Sequence, residues 1–199
     1  LESTDCLIVF VKNPILGKVK TRIAEKVGDK KAMEIYLKML NHLNHWVSPL
    51  PLKKWIYFSD YIDRDGIWSS SEFEFGLQKG KDLGIKMYSA LSEILINSKK
   101  AILIGSDIAG LNPKILKDAV EMLENHDMVF GPANDGGYYL VGCKNNHPEI
   151  FDNIPWGTSK VLEMSLEKTA NIGLKVALLT PLNDIDYIED WEKNAYLFS

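Results

Sequence analysis

Cysteine is scarce in this chain. Only Cys6 and Cys143 occur in 199 residues, and both stand inside apolar, β-like runs. That argues against a disulfide framework or a thiolate metal cluster and leaves both as small core hydrophobes. Positive charge is in deficit: 23 Lys and Arg against 27 Asp and Glu give a net charge of −4, so no nucleic-acid partner is expected. No apolar run approaches the roughly 20 residues of a membrane-spanning helix. No membrane span and no secretory leader are expected, and the default location is cytoplasmic. The four histidines, His42, His45, His126 and His147, form no constellation suited to nucleophilic catalysis. Two phosphate-binding signatures are missing too. Gly17-Lys18 lacks the upstream glycine and the following Ser/Thr of a Walker loop, and no G-x-G-x-x-G turn occurs.

What the chain does have is a steady alternation of strand and helix patterns. Strands are expected at 6–11, 55–59, 72–77, 101–105, 128–130, 138–143 and 175–179. Helices are expected at 29–47, at 83–97, from Pro113 and at 161–169. The first of these helices carries Ala32, Ile35, Tyr36, Met39, Leu40, Leu43, Trp46 and Val47 on one face. Asn112-Pro113 reads as a helix start, with Asn as cap and Pro in the first position. The βα order predicts one α/β domain over residues 1–199, with a mostly parallel sheet and helices on both faces. Ligands bind such folds beyond the carboxyl ends of the strands.

Four motifs follow strands at that edge. The first is Lys12-Asn13-Pro14-Ile15-Leu16-Gly17-Lys18-Val19-Lys20-Thr21-Arg22, with four cations and no acid. A strand emptying into a basic, glycine-containing loop and then a helix N-terminus suits a phosphate chain. The second is Gly105-Ser106-Asp107, whose carboxylate is a hard oxygen ligand suited to Mg²⁺, or equally a turn cap. The third is Asp184-Ile185-Asp186, where alternation puts both carboxylates on one side of an extended segment. One of the pair could instead cap a helix over 187–196. The fourth is Gly131-Pro132-Ala133-Asn134-Asp135-Gly136-Gly137-Tyr138-Tyr139. It is either a polar pocket shaped by Asp135 and the tyrosines, or a plain hairpin with an Asp-Gly turn. Trp156, in Pro155-Trp156-Gly157-Thr158, is a pocket wall or a core tryptophan.

Taken in order, these segments, together with Lys81-Asp82-Leu83-Gly84, resemble the radical-SAM/selenodomain-associated transferases, type 1. That family is placed among nucleotide-diphospho-sugar transferases of glycosyltransferase-A-like fold. The resemblance implies a three-layer α/β/α sandwich with a mixed sheet. It implies a nucleotide over the first loop, touching Lys12, Pro14, Gly17, Lys18, Lys20, Thr21, Arg22 and Asp82. It also implies a divalent metal, Mg²⁺ or Mn²⁺, near Asp107, with Asp186 as the second metal-side position. Asp135, Gly136, Gly137, Tyr138 and Trp156 are the acceptor-side candidates. Where the family has Cys-Pro after Ser-Asp, this chain has Ile108-Ala109, and Lys86 stands where Arg is usual.

The leading expectation is a metal-dependent nucleotidyltransferase. A small phosphorylated acceptor attacks the α-phosphate of a nucleoside triphosphate and pyrophosphate leaves. Lys18, Arg22, Asp107 and Asp135 are the catalytic candidates. A phosphate nucleophile is already anionic, so no general base is required. The alternative is a glycosyltransferase using a nucleotide sugar, with Asp135 as base toward an acceptor hydroxyl. A third is a nucleotide-binding module without catalysis.

Overall fold

The computed structural model describes residues 5–198. Its strands are β1 (Asp5–Val11), β2 (Lys53–Phe58), β3 (Phe73–Leu77), β4 (Lys100–Ile104), β5 (Ile108–Ala109), β6 (Met128–Pro132), β7 (Tyr138–Cys143), β8 (Val176–Leu178) and β9 (Asn183–Asp184). Its α-helices are α1 (Thr21–Val27), α2 (Asp29–Val47), α3 (Leu83–Leu95), α4 (Pro113–Asn125), α5 (Pro148–Phe151), α6 (Val161–Asn171) and α7 (Ile188–Asn194). Seven strands form one sheet in the order β3-β2-β1-β4-β7-β6-β8, and β5 pairs with β9 in a separate ribbon.

Alternation along β1 explains the layering. Leu7, Val9 and Val11 join the core that holds Tyr36, Leu40 and Leu43 of α2 and Leu116, Ala119 and Leu123 of α4. Cys6, Ile8 and Phe10 point the other way, toward Met87, Leu91 and Ile94 of α3 and Ile150 and Phe151 of α5. The expected three-layer α/β/α sandwich is therefore the observed one. Leu7, Ile8, Leu91 and Ile102 are almost wholly buried, and each such side chain stabilises the fold by about 1.5–3 kcal/mol. Helix α2 starts and ends where its apolar stripe predicted. Asn112 caps α4 by accepting from Lys114 N at 3.0 Å and Ile115 N at 3.3 Å.

Three features depart from the sequence reading or decide between its options. Strand β2 begins two residues early, at Lys53. The buried Lys54 is accommodated because its ammonium donates to Ser48 O and Leu50 O at 2.6 and 3.1 Å. Strand β7 runs antiparallel to both β4 and β6, so residues 133–137 are the turn of a hairpin, while the remaining sheet neighbours are parallel. Neither Asp184 nor Asp186 caps the last α-helix. Tyr187 holds that position, and the Asp190 carboxylate reaches back to Tyr187 N at 2.8 Å and Asp186 N at 3.2 Å. Among the described residues, no helix is long and apolar enough to cross a membrane.

Candidate functional site

A cavity of about 560 Å³ opens at the carboxyl edge of the sheet. All four cations of the first loop, Lys12, Lys18, Lys20 and Arg22, line it, as does Thr21. So do Asp107, Asp184 and Asp186. Two devices bring them together. The loop is pinned by Asn13, which is only 1% exposed. Its side chain accepts from Asp60 N at 2.9 Å and Tyr61 N at 3.2 Å and donates to Tyr61 O at 2.9 Å. Its own N–H donates to Ser59 Oγ at 3.0 Å. Behind it, the Tyr36 hydroxyl accepts from Lys12 N at 3.0 Å and donates to Lys12 O at 2.9 Å. The acids are joined by the β5–β9 ribbon, in which Ile108 faces Asp184. Ile185 N also donates to Asp107 O at 2.9 Å.

The charged centre is compact. The Lys20 ammonium, with its side chain 6% exposed, lies 2.7 Å from Asp107 Oδ2 and 3.9 Å from Asp186 Oδ1. It also donates to Ile185 O at 2.7 Å. Arg22 Nη1 holds the other Asp186 oxygen at 2.7 Å, and its guanidinium lies 5.4 Å from the centre of the Tyr187 ring. Burial pushes the Asp107 carboxyl up, but its pairing with Lys20 and the nearby Lys12 outweigh this and hold it below the usual range. Among the described residues Asp184 makes no ion pair, and the charge of Lys20 offsets its neighbours only in part. Its Oδ1 is buried without a hydrogen bond among the described residues. Burial first, then the charges of Asp107, Asp135 and Asp186, push its carboxyl up to about 7.

No three His, Cys, Asp or Glu side chains among the described residues converge as a ready-made metal cage. Two carboxylates and one backbone carbonyl do, however, gather around a single cation, the Lys20 ammonium. Hard oxygens of this kind fit Mg²⁺ or Mn²⁺, provided phosphates and water complete the shell.

Other expected site residues fall elsewhere. Tyr138 lines the cavity; Pro14, Gly17, Asp82, Asp135, Gly136, Gly137 and Trp156 are not on its wall. Gly17, at φ 77°, turns the loop. Asp82 is the N-cap of α3, accepting from Ile85 N at 2.9 Å. Asp135 accepts from Gly137 N at 2.8 Å inside the hairpin turn. Trp156 packs edge-on to Tyr138, ring centres 6.2 Å apart, and lies flush against Gly84, where a Cβ would come within 2.6 Å of its ring. Gln78 is a wall residue that the motifs did not single out. Its amide donates to Val11 O at 3.0 Å and Tyr57 O at 2.9 Å. Both N–H groups are thereby committed to carbonyls, so its oxygen is the group left to accept. Its place directly after β3 was the available signal.

Residues 49–158 match the DUF2064 family, described as an uncharacterized protein conserved in bacteria. A 2-phospho-L-lactate guanylyltransferase of Methanocaldococcus jannaschii is 25% identical over 138 residues, 69% of this chain. The chain spans 59% of that relative's length. A Desulfovibrio desulfuricans G20 structure, provisionally assigned as a nucleotide-diphospho-sugar transferase, superposes with a TM-score of 0.87 at 29% identity and covers 98% of this chain and 97% of its own. The 4-diphosphocytidyl-2C-methyl-D-erythritol synthase of Anaerococcus prevotii shares the fold at TM-score 0.63 and 9% identity, over the full length of both chains.

Proposed function

This chain belongs to the DUF2064 family, and from that footing we propose that it is a nucleotidyltransferase joining a nucleoside triphosphate to a small phosphorylated acceptor. One observation carries the reading: four cations from one loop and three aspartates from two later strand ends line a single cavity. A polyphosphate needs the first group, and its counter-ion needs the second. The relative named as a 2-phospho-L-lactate guanylyltransferase makes GTP the first triphosphate to try and a phosphorylated small acid the first acceptor.

Asp107, Asp186 and the Ile185 carbonyl would hold Mg²⁺ or Mn²⁺, which would neutralise charge on the phosphate oxygens. The chain's own groups do the rest. Lys12 and Lys18 are exposed cations on the cavity wall and act as point charges toward the β- and γ-phosphates. Arg22 offers a planar fork to two phosphate oxygens. Asn13 ties this loop to residues 59–61, just after β2. An acceptor phosphate oxygen bonds to the α-phosphorus as the bond from that phosphorus to the bridging oxygen breaks. Pyrophosphate departs with the bonding electrons, and no proton has to move. Electrostatic stabilisation of the charge shifting to the leaving group is the main catalytic effect.

Hydrogen bonds between charged groups contribute about 1.5–3 kcal/mol each. Lys18→Ala and Arg22→Ala should therefore each weaken triphosphate binding roughly ten- to a hundredfold in calorimetry. Unchanged affinity in both would remove the loop from the site. Transfer to a hydroxyl from a nucleotide sugar is the second reading, favoured by the 29%-identical structure assigned to that class. Pyrophosphate as product supports the first reading; a nucleoside diphosphate supports the second.

A further inference from the structure

We propose that Lys20 is a built-in, displaceable cation: it holds the place between Asp107 and Asp186 that a divalent metal takes, and it yields that place by moving to a ligand phosphate. The inference rests on the phosphate-transfer reading above and adds a binding order to it.

Three observations carry it. The Lys20 ammonium contacts the same three oxygens that suit a hard cation: Asp107 Oδ2, Asp186 Oδ1 and Ile185 O. The cluster is balanced in charge, with Lys20 and Arg22 set against Asp107 and Asp186. The Lys20 backbone lies at φ 47°, ψ 46°, a left-handed conformation unfavourable for a lysine, at the N-cap of α1 with no side-chain capping bond. Strain of this sort persists where the surroundings over-determine it.

The consequence follows from electrostatics. A bare divalent ion entering this balanced cluster must expel a buried ammonium from both of its carboxylate partners with no phosphate to receive it. A metal arriving with a polyphosphate brings that anion. Metal and nucleotide therefore favour each other's binding, and by linkage each strengthens the other by the same factor. Lys20 is in this sense a positioning residue for the metal, and its moving charge becomes a phosphate contact once displaced.

The test is Mn²⁺ binding without nucleotide, read as the loss of the free-ion paramagnetic resonance signal. Lys20→Met and Lys20→Gln should each bind one Mn²⁺ roughly ten- to a hundredfold more tightly than the unmodified protein, the span of ordinary site–site coupling. Lys18→Met removes an equal charge from the same wall without touching either aspartate, and should change Mn²⁺ affinity little. Adding Asp107→Asn to Lys20→Met should abolish the gain. Equal Mn²⁺ affinity with and without the Lys20 charge overturns the proposal, as does an equal gain from Lys18→Met. If both Lys20 variants fail to fold by circular dichroism, acylation of the unmodified protein decides. Mn²⁺ at a concentration where the resonance titration shows one ion bound should raise labelling of Lys20, read by peptide mass spectrometry, and unchanged labelling at that occupancy overturns it. These readouts involve no nucleotide, so they stand or fall separately from the affinity test on Lys18 and Arg22.

Discussion

Replacing Asp184 by Asn should remove a penalty that grows as the pH rises. The Asp184 carboxyl is buried beside three other acids and keeps its proton up to about pH 7, against an ordinary value of 3.8. Between those two values the folded protein holds a proton that the unfolded chain has already released. Stability therefore falls as the pH climbs from 3.8 to 7, and the loss is complete above 7. Each unit of difference is worth 1.36 kcal/mol, so the full effect is about 4 kcal/mol. Roughly 2–3 kcal/mol of that falls between pH 5 and pH 8. Asn keeps the side chain's size and has no charge to lose. In a protein of this size 1 kcal/mol moves Tm by about 2–4 °C, so the gap between variant and parent should widen by roughly 5–10 °C over that interval. Thermal melts in buffers of matched ionic strength measure it, and taking the difference between the two proteins cancels other titrations. A gap that stays constant from pH 5 to pH 8 would refute the argument that Asp184 is held protonated by burial and like charge.

Asn13→Ala should destabilise the protein by about 3 kcal/mol, because it strips partners from the backbone of residues 60 and 61. It should also weaken triphosphate binding, as the loop loses its anchor; denaturant melts and calorimetry check the two parts. Gly136→Ala places a Cβ 2.2 Å from Ser159 O in a residue at φ 94°. The conformational and steric costs together should come to roughly 2–4 kcal/mol, seen as a lowered denaturant midpoint. Asp135→Asn separates the two transferase readings. Activity within about twofold of the parent is expected if the nucleophile is a phosphate, and a loss of about a hundredfold or more is expected if Asp135 is a general base.

The first loop was legible because charge and placement coincide there: four cations follow an apolar strand, and all four reach the cavity. Asp107 and Asp186 were legible by the same logic of a carboxylate beyond a strand. What could not be read was cross-chain pairing. The β5–β9 ribbon involves two residues on each side, too short to produce a periodic pattern, yet it joins the acids. Gln78 and Tyr36 act through carbonyl and amide groups that only the folded chain brings near. The choice between pocket loop and hairpin at 133–137 rests on β7 pairing antiparallel on both sides, which local sequence does not encode. Asp82, expected at the nucleotide from the resemblance, caps α3, and Trp156, a pocket wall or a core residue in sequence, packs on Tyr138 and Gly84.

The β5–β9 ribbon also sets a timetable for synthesis. Cations of the opening loop leave the ribosome early, but the aspartates at 184 and 186 that complete their setting come roughly 160 residues later. A chain terminated short of residue 184 would keep only Asp107 of the three acids to restrain the basic loop. A break anywhere between residues 110 and 183 that let the later fragment drift away would take two of the three acids with it. Such a fragmented protein should be inert rather than partly active.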